Sequence, residues 1–174
     1  MSLKICLLLK NWQKVISHKF VDSTINSDSL NISSIGMCVW VDTYATTGVF
    51  DKISEYIHTE LTENKMQEII KNKTVYVCSE EKCIFGYIVL GKDEGNKIEI
   101  ETLYVLPKFQ RKGIGKLLLE YSLSEAKTYW LSAWELNHKA IEFYLKNGFK
   151  ETGEMYFDLY GDKIRNIVLE STQQ

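Results

Sequence analysis

The sequence predicts an α/β fold: a mixed, mainly antiparallel sheet with helices on both faces. Three observations predict it. Between about Leu30 and Ile70 apolar residues recur at helical spacing, and from Thr74 to Val105 β-branched and aromatic residues form three short runs separated by turn residues. From Gly113 onward a helix, a strand, a second helix and a hairpin follow one another.

The chain has 174 residues and a formal net charge of −2. A domain of this size hides roughly 70% of its unfolded surface, so 14–174 is expected to be a single domain, preceded by an arm or extra strand over 1–13. The slight acidity excludes the broad basic excess of nucleic-acid binders, and no nucleic-acid partner is expected. Cys6, Cys38, Cys78 and Cys83 lack Cys-x-x-Cys spacing and sit in apolar contexts, so they are expected to be reduced core residues. His18, His58 and His138 fall in no ligand or nucleophile pattern, and no metal is expected. The run from Ile5 to Leu9, bracketed by Lys4 and Lys10, is far below the ~18 apolar residues of a membrane span, and no small-residue cleavage site follows it. No membrane association is expected, and the reading points to the cytoplasm.

In chain order, Val15 to Val21 reads as a strand, and the Asp/Ser/Asn-rich stretch from Asp22 leads to a helix starting near Ser29. Ile32, Ile35, Val39 and Trp40 mark its buried face, with Gly36 as the residue that costs about 1 kcal/mol there. Asp51 and Thr62 are expected to cap two short helices. Thr74–Cys78 and Cys83–Leu90 read as a hairpin with the four-residue connection 79–82, and 91–96 as the next turn. Trp130–Trp134 is a strand, Asn137 caps a helix that ends at Asn147-Gly148, and Met155–Tyr160 and Ile164–Leu169 form a last hairpin around 161–163.

The stretch from Glu99 to Gly115 carries the chemistry. An alternating strand passes through Pro107 into the basic loop Gln110-Arg-Lys-Gly-Ile-Gly115, which opens directly on a helix beginning with Lys116-Leu-Leu-Leu. A helix N-terminus has unpaired N–H groups and about half a positive charge, so this place suits a phosphate ester. The loop matches neither the Walker pattern nor the dinucleotide fingerprint. By itself a Gly-x-Gly before a helix is equally well explained by packing alone.

Together, Gln110-Arg-Lys-Gly-Ile-Gly115, the preceding Leu103-Tyr-Val105 and Pro107, and Asn137-His-Lys-Ala-Ile-Glu-Phe-Tyr-Leu-Lys-Asn-Gly-Phe149 resemble the GNAT superfamily of acetyl-CoA-dependent N-acetyltransferases. The resemblance spans about 28–169, with its specific motifs between Glu99 and Phe149. It implies a splayed sheet that opens after Val105, with acetyl-CoA as cosubstrate wedged there. It also implies a coenzyme site made of Leu103, Tyr104 and Val105 through their backbone, and of Gln110, Arg111, Lys112, Gly113, Ile114, Gly115 and Lys116 at the pyrophosphate. Asn137 is implied both to cap its helix and to contact the coenzyme, and Tyr144 to act as general acid toward the coenzyme sulfur. Glu99 and Glu101 are candidates for the base, and strand alternation would put them on one face with Leu103 and Val105. Both carboxylates are equally readable as the polar face of a half-exposed strand.

The acceptor is the least legible part. Trp134 to Asn137, with the Phe-Tyr helix, most resembles the PaiA-type polyamine acetyltransferases, which implies a small-molecule amine. Protein N-terminal acetylation and a non-catalytic CoA-binding module are the alternatives. Trp40, Tyr44, Phe50 and Tyr56 can line an acceptor groove or simply be core. Many members of the superfamily are homodimers, and no residue pattern here fixes the oligomeric state.

Overall fold

The computed structural model describes residues 20–23, 26–123 and 127–171. The arm expected over 1–13 and most of the strand expected over 15–21 lie outside them; only β1, Phe20–Ser23, is described. The first helix, α1, is Ser29–Tyr44, and its buried residues include Ile32, Ile35, Val39 and Trp40, the face its spacing predicts. Gly36 has a packing reason. A Cβ there would lie 3.1 Å from the Tyr87 hydroxyl and 3.3 Å from Leu61, so the bare backbone lets α1 approach the sheet. Cys38 is on the other side of α1 and exposed, which corrects its assignment to the core, whereas Cys78 is buried.

Two short helices follow, α2 (Asp51–Glu60) and α3 (Glu63–Asn72). Thr62 caps α3 by accepting from the Lys65 amide at 3.3 Å. Asp51 does not cap α2: Phe50 holds that position and Asp51 is the first helical residue, where a carboxylate still meets the positive end of the dipole.

The remaining strands are β2 (Thr74–Glu80), β3 (Cys83–Glu94), β4 (Lys97–Val105), β5 (Thr128–Trp134), β6 (Phe149–Leu159) and β7 (Asp162–Ser171), with α4 (Ile114–Ser122) and α5 (His138–Lys146) flanking β5 in sequence. They form one seven-stranded sheet in the order β1-β2-β3-β4-β5-β7-β6. Every pairing is antiparallel except β4 with β5, the two strands joined through α4.

The hairpins are tighter and their strands longer than the residue pattern predicts. β2 and β3 turn on Glu81-Lys82 alone, with Glu81 at φ 52°. β3 continues through Gly91 to Glu94 and turns at Gly95-Asn96, both at positive φ, the conformation that suits a two-residue connection between twisted strands. The last hairpin turns at Tyr160-Gly161, and β6 begins at Phe149. Polar residues therefore continue as strand where composition suggested loop, because ladder pairing outweighs their weak local preference.

An apolar cluster fills each side of the sheet. One combines Phe85, Ile88, Ile100, Val105 and Leu131 with Ile114, Leu118 and Leu119 of α4 and Tyr144 of α5. The other combines Val75, Val77, Tyr87 and Val89 with Ile32, Ile35 and Trp40 of α1, Ile53 and Ile57 of α2, and Met66 of α3. Helices thus cover both faces.

Candidate active site

β4 is held very close to β3 at its C-terminal end. A Cβ on Gly86 would sit 2.5 Å from the Tyr104 carbonyl oxygen and 3.1 Å from Val105 Cα, so only glycine lets the strands meet here. After Val105, the Leu106 amide donates to the Phe85 carbonyl at 2.9 Å and Pro107 starts a single 3-10 turn, Pro107–Phe109. The Gln110 side chain reaches back and donates through Nε2 to the Val105 carbonyl at 3.1 Å, tying the loop to the strand end.

Arg111 at φ 58° and Gly113 at φ 81° then turn the chain into α4. A Cβ on Gly113 would touch nothing within 4 Å, so this glycine is required by conformation and not by space. Gly115 is required by space: its Cβ would lie 3.3 Å from the Phe143 ring of α5. The Leu117 amide makes the bond to the Gly113 carbonyl at 2.9 Å, which leaves the amides of Ile114, Gly115 and Lys116 in the orphan positions of a helix start. Arg111 is exposed, the Lys112 ammonium lies 5.0 Å from the Phe109 ring centre, and Lys116 pairs with Glu120 at 3.4 Å on the surface. Together these residues form a backbone cradle with a basic rim, chemistry that fits a diphosphate.

The sheet opens beside this cradle. β4 pairs with β5 only at Lys97↔Thr128, Ile98↔Tyr129 and Glu99↔Trp130, while β5 stays paired with β7 as far as Trp134. Beyond Glu99, the β5-facing edge of β4 therefore has no strand partner among the described residues. The opening begins at Glu99, well before the expected point after Val105. A bulge accompanies it: Val89 pairs with Thr102 but Leu90 pairs with Ile100, so Glu101 is the extra residue.

The bulge also resets the alternation. Ile98 and Ile100 before it, and Leu103 and Val105 after it, all pack toward α4 and α5, while Tyr104 packs toward α1. Glu99 and Glu101 do not share a face with Leu103 and Val105, contrary to the simple period-two expectation. They line one shallow cleft of about 410 Å³ with Lys73, Gly91, Lys92, Lys97 and Trp130. Gly91 makes room for both, since its Cβ would lie 3.0 Å from Glu101 Oε1 and 3.3 Å from Glu99 Cβ. Glu101 is ion-paired with Lys73, and Lys97 with Glu170 at 2.9 Å.

On the other side of the opening, Tyr144 is buried with its ring edge-on to Phe143 and Phe149, at centroid distances of 5.2 and 5.3 Å. Burial pushes its phenol well above the usual tyrosine range, so the hydroxyl keeps its proton. Phe143, its neighbour along α5, is the ring that lies over Gly115, which couples Tyr144 to the loop by direct packing. Asn137 caps α5, its Oδ1 accepting from the Ala140 amide at 3.2 Å.

A family model described as the acetyltransferase (GNAT) domain matches residues 71–151, which contain β4, the loop and α5. A spermidine N(1)-acetyltransferase of Thermoplasma acidophilum is 31% identical over 129 residues, covering 64% of this chain and 75% of that protein. The chain belongs to the GNAT family of acetyl-CoA-dependent N-acetyltransferases. A peptidyl-lysine N-acetyltransferase of Escherichia coli, YjaB, is 29% identical over 112 residues, with 64% of this chain and 72% of the relative covered. In fold, the GNAT chain resembles the PaiA N-acetyltransferase of Thermoplasma acidophilum, solved in complex with coenzyme A: the TM-score is 0.75 at 22% identity, covering 88% of this chain and 98% of that one.

The α1-side face of this GNAT sheet is aromatic. Trp40 stacks on Tyr56 at 3.7 Å and lies 4.3 Å from Tyr44, which in turn meets Trp134 of β5 at 5.3 Å. Trp40 Nε1 donates to the Tyr104 hydroxyl at 2.9 Å, and burial pushes the Tyr104 phenol up. Of the residues expected to line a groove, Trp40, Tyr44 and Tyr56 are packed together as core, and Phe50 is exposed. Gly86, Gly91, Lys73 and the Glu101 bulge were not singled out from sequence. An isolated glycine inside a strand pattern is the signal that marks the first two. Among the described residues no group of three or more His, Cys, Asp or Glu side chains is placed to hold a metal, and no helix is long and apolar enough to cross a membrane.

Proposed function

We propose that this chain moves an acetyl group directly from acetyl-CoA to the primary amine of a small aliphatic molecule, a polyamine being the preferred class, and does so in the cytoplasm. The observation that carries this reading is the unpartnered edge of β4, which runs from the carboxylate cleft at Glu99 to the backbone cradle at 110–116. A thioester arm laid along it meets main-chain groups that no strand among the described residues satisfies, and its diphosphate meets the α4 amides.

In this reading Leu103, Tyr104 and Val105 offer backbone groups to the arm. Gln110, Arg111, Lys112, Gly113, Ile114, Gly115 and Lys116 hold the diphosphate, and Asn137 adds a contact beyond its capping bond. Acetyl-CoA supplies the activated acetyl group; the chain supplies position and proton transfer. A primary alkylamine has an ordinary pKa near 10.4 and arrives as an ammonium, so it must lose a proton before it can attack. Glu99, which lies in the cleft at the point where β4 parts from β5, is the favoured acceptor for that proton, with Glu101 beside it. Tyr144, buried and kept protonated, gives a proton to the departing sulfur.

The polyamine class is supported by the spermidine N(1)-acetyltransferase relative, and a lysine side chain of a peptide is the second reading, supported by the YjaB relative. Both acceptors end in a primary amine on an alkyl chain. Thiol release from acetyl-CoA with spermidine, spermine, lysine and short peptides separates them. Turnover of spermidine above the peptides is expected, and turnover of peptides alone would sink the polyamine reading.

A further inference from the structure

Among the described residues one buried side-chain polar atom has no hydrogen-bond partner, Oδ1 of Asn166. Asn166 lies within β7, in register with Trp134 of β5 and Met155 of β6. Its Nδ2 donates to Ser132 Oγ at 3.3 Å. Tyr129, Leu131 and Ala133 of β5 point into the α4–α5 cluster, so Trp130, Ser132 and Trp134 form a row on the opposite face, and Asn166 adjoins that row. The row borders the opening, because β5 has no pairing with β4 beyond Trp130.

A half-buried position on a sheet face can be filled by valine, threonine or leucine, none of which brings a buried carbonyl oxygen that needs a donor. The fold itself therefore has no use for a carbonyl oxygen at this place, but an incoming hydrogen-bond donor does. We propose that Asn166, held in position by Ser132, is an amine-recognition residue whose Oδ1 accepts a hydrogen bond from the reacting primary amine as it enters the opening from the α1 side.

The inference rests on the acetyl-transfer reading above and adds a residue to it. Its chemistry suits an amine that must react neutral. A carboxylate here would favour the ammonium form, whereas an uncharged amide oxygen binds N–H donors in either protonation state. Asn166 is flanked in register by Trp134, braced against Tyr44, and by Met155, which is 40% exposed on the edge strand. The three side-chain torsions of Met155 make it the neighbour able to move aside.

The test is Asn166→Leu, measured with acetyl-CoA and spermidine and by urea unfolding of the free protein. A rise of about tenfold or more in the spermidine KM is expected, the scale of one lost hydrogen bond to a polar or charged donor. The acetyl-CoA KM should be unchanged and the unfolding midpoint close to that of the wild type, since the substitution removes an unpaired oxygen together with one 3.3 Å bond to the half-buried Ser132 hydroxyl. An unchanged spermidine KM overturns the proposal, as does a lowered midpoint with both KM values raised together. If the wild-type protein acetylates no amine, the transfer reading fails on its own. The unfolding data then still decide: a less stable Leu variant makes Asn166 structural and overturns the proposal, and an equal or more stable one supports an oxygen kept for a ligand.

Discussion

Replacing Tyr144 with phenylalanine removes one oxygen and leaves the ring where it is. The ring contacts to Phe143 and Phe149 survive, and the residue, 6% exposed, keeps its apolar burial. The hydroxyl makes no hydrogen bond among the described residues, so its loss should change stability by no more than about 0.5 kcal/mol. For a chain of this length that is about 2 °C in Tm or less. Catalysis should respond differently. A general acid contributes about 10²-fold or more, so kcat for thiol release at saturating acetyl-CoA should fall by about 10², or about 2.7 kcal/mol, with coenzyme affinity little changed. Steady-state thiol release and a thermal melt on the same preparation give both numbers. A kcat within twofold of wild type would remove Tyr144 from proton transfer. A fall in kcat accompanied by a large loss of Tm would reassign the hydroxyl to structure.

Other expectations concern backbone and charge. Gly86→Ala forces a Cβ to within 2.5 Å of the Tyr104 carbonyl oxygen; urea unfolding should show a loss of about 1–3 kcal/mol, and the acetyl-CoA KM should rise because β4 is displaced. Gly113→Ala should cost about 1 kcal/mol and weaken acetyl-CoA binding in calorimetry, whereas Gly113→Asn, which tolerates left-handed backbone, should recover part of both; equal behaviour of Ala and Gly would refute the conformational argument. The buried phenols of Tyr87, Tyr104 and Tyr144 are pushed up by burial, and that of Tyr56 to about 12, chiefly by burial and then by Glu60. Unfolded tyrosines ionise near pH 10 while these stay protonated in the fold. The contribution of these groups to stability should therefore be whole below pH 10 and be lost as the pH rises toward 12, measurable as the urea midpoint at pH 8 against pH 11.

Features carried by local sequence were legible before the structure. The glycine loop, the Asn137 cap and the placing of Tyr144 on the inner side of α5 depend on residues a few positions apart, within the reach of a helix turn or a tight loop. The opening of the sheet was harder to place, because it depends on register between strands far apart in sequence. Nothing between Glu99 and Val105 announces that Glu101 will be the extra residue opposite Val89 and Leu90, yet that one residue sets which side chains face the α4–α5 cluster. Turn positions failed for a related reason. Polar residues such as Glu80, Lys92 and Asp93 look like loop on their own and become strand once a partner ladder is present. Asn166 lies deeper still, since its unpaired oxygen is a property of the assembled face and of no motif.

The central claim is direct transfer from acetyl-CoA to an amine, and it is tested most directly by mass spectrometry of the protein mixed with acetyl-CoA, with and without spermidine. The account expects acetylated spermidine and free coenzyme A in equal amounts, and an unchanged protein mass in both mixtures. A stably acetylated protein formed without amine and discharged when spermidine is added, or coenzyme A released with no acetylated amine, would contradict it.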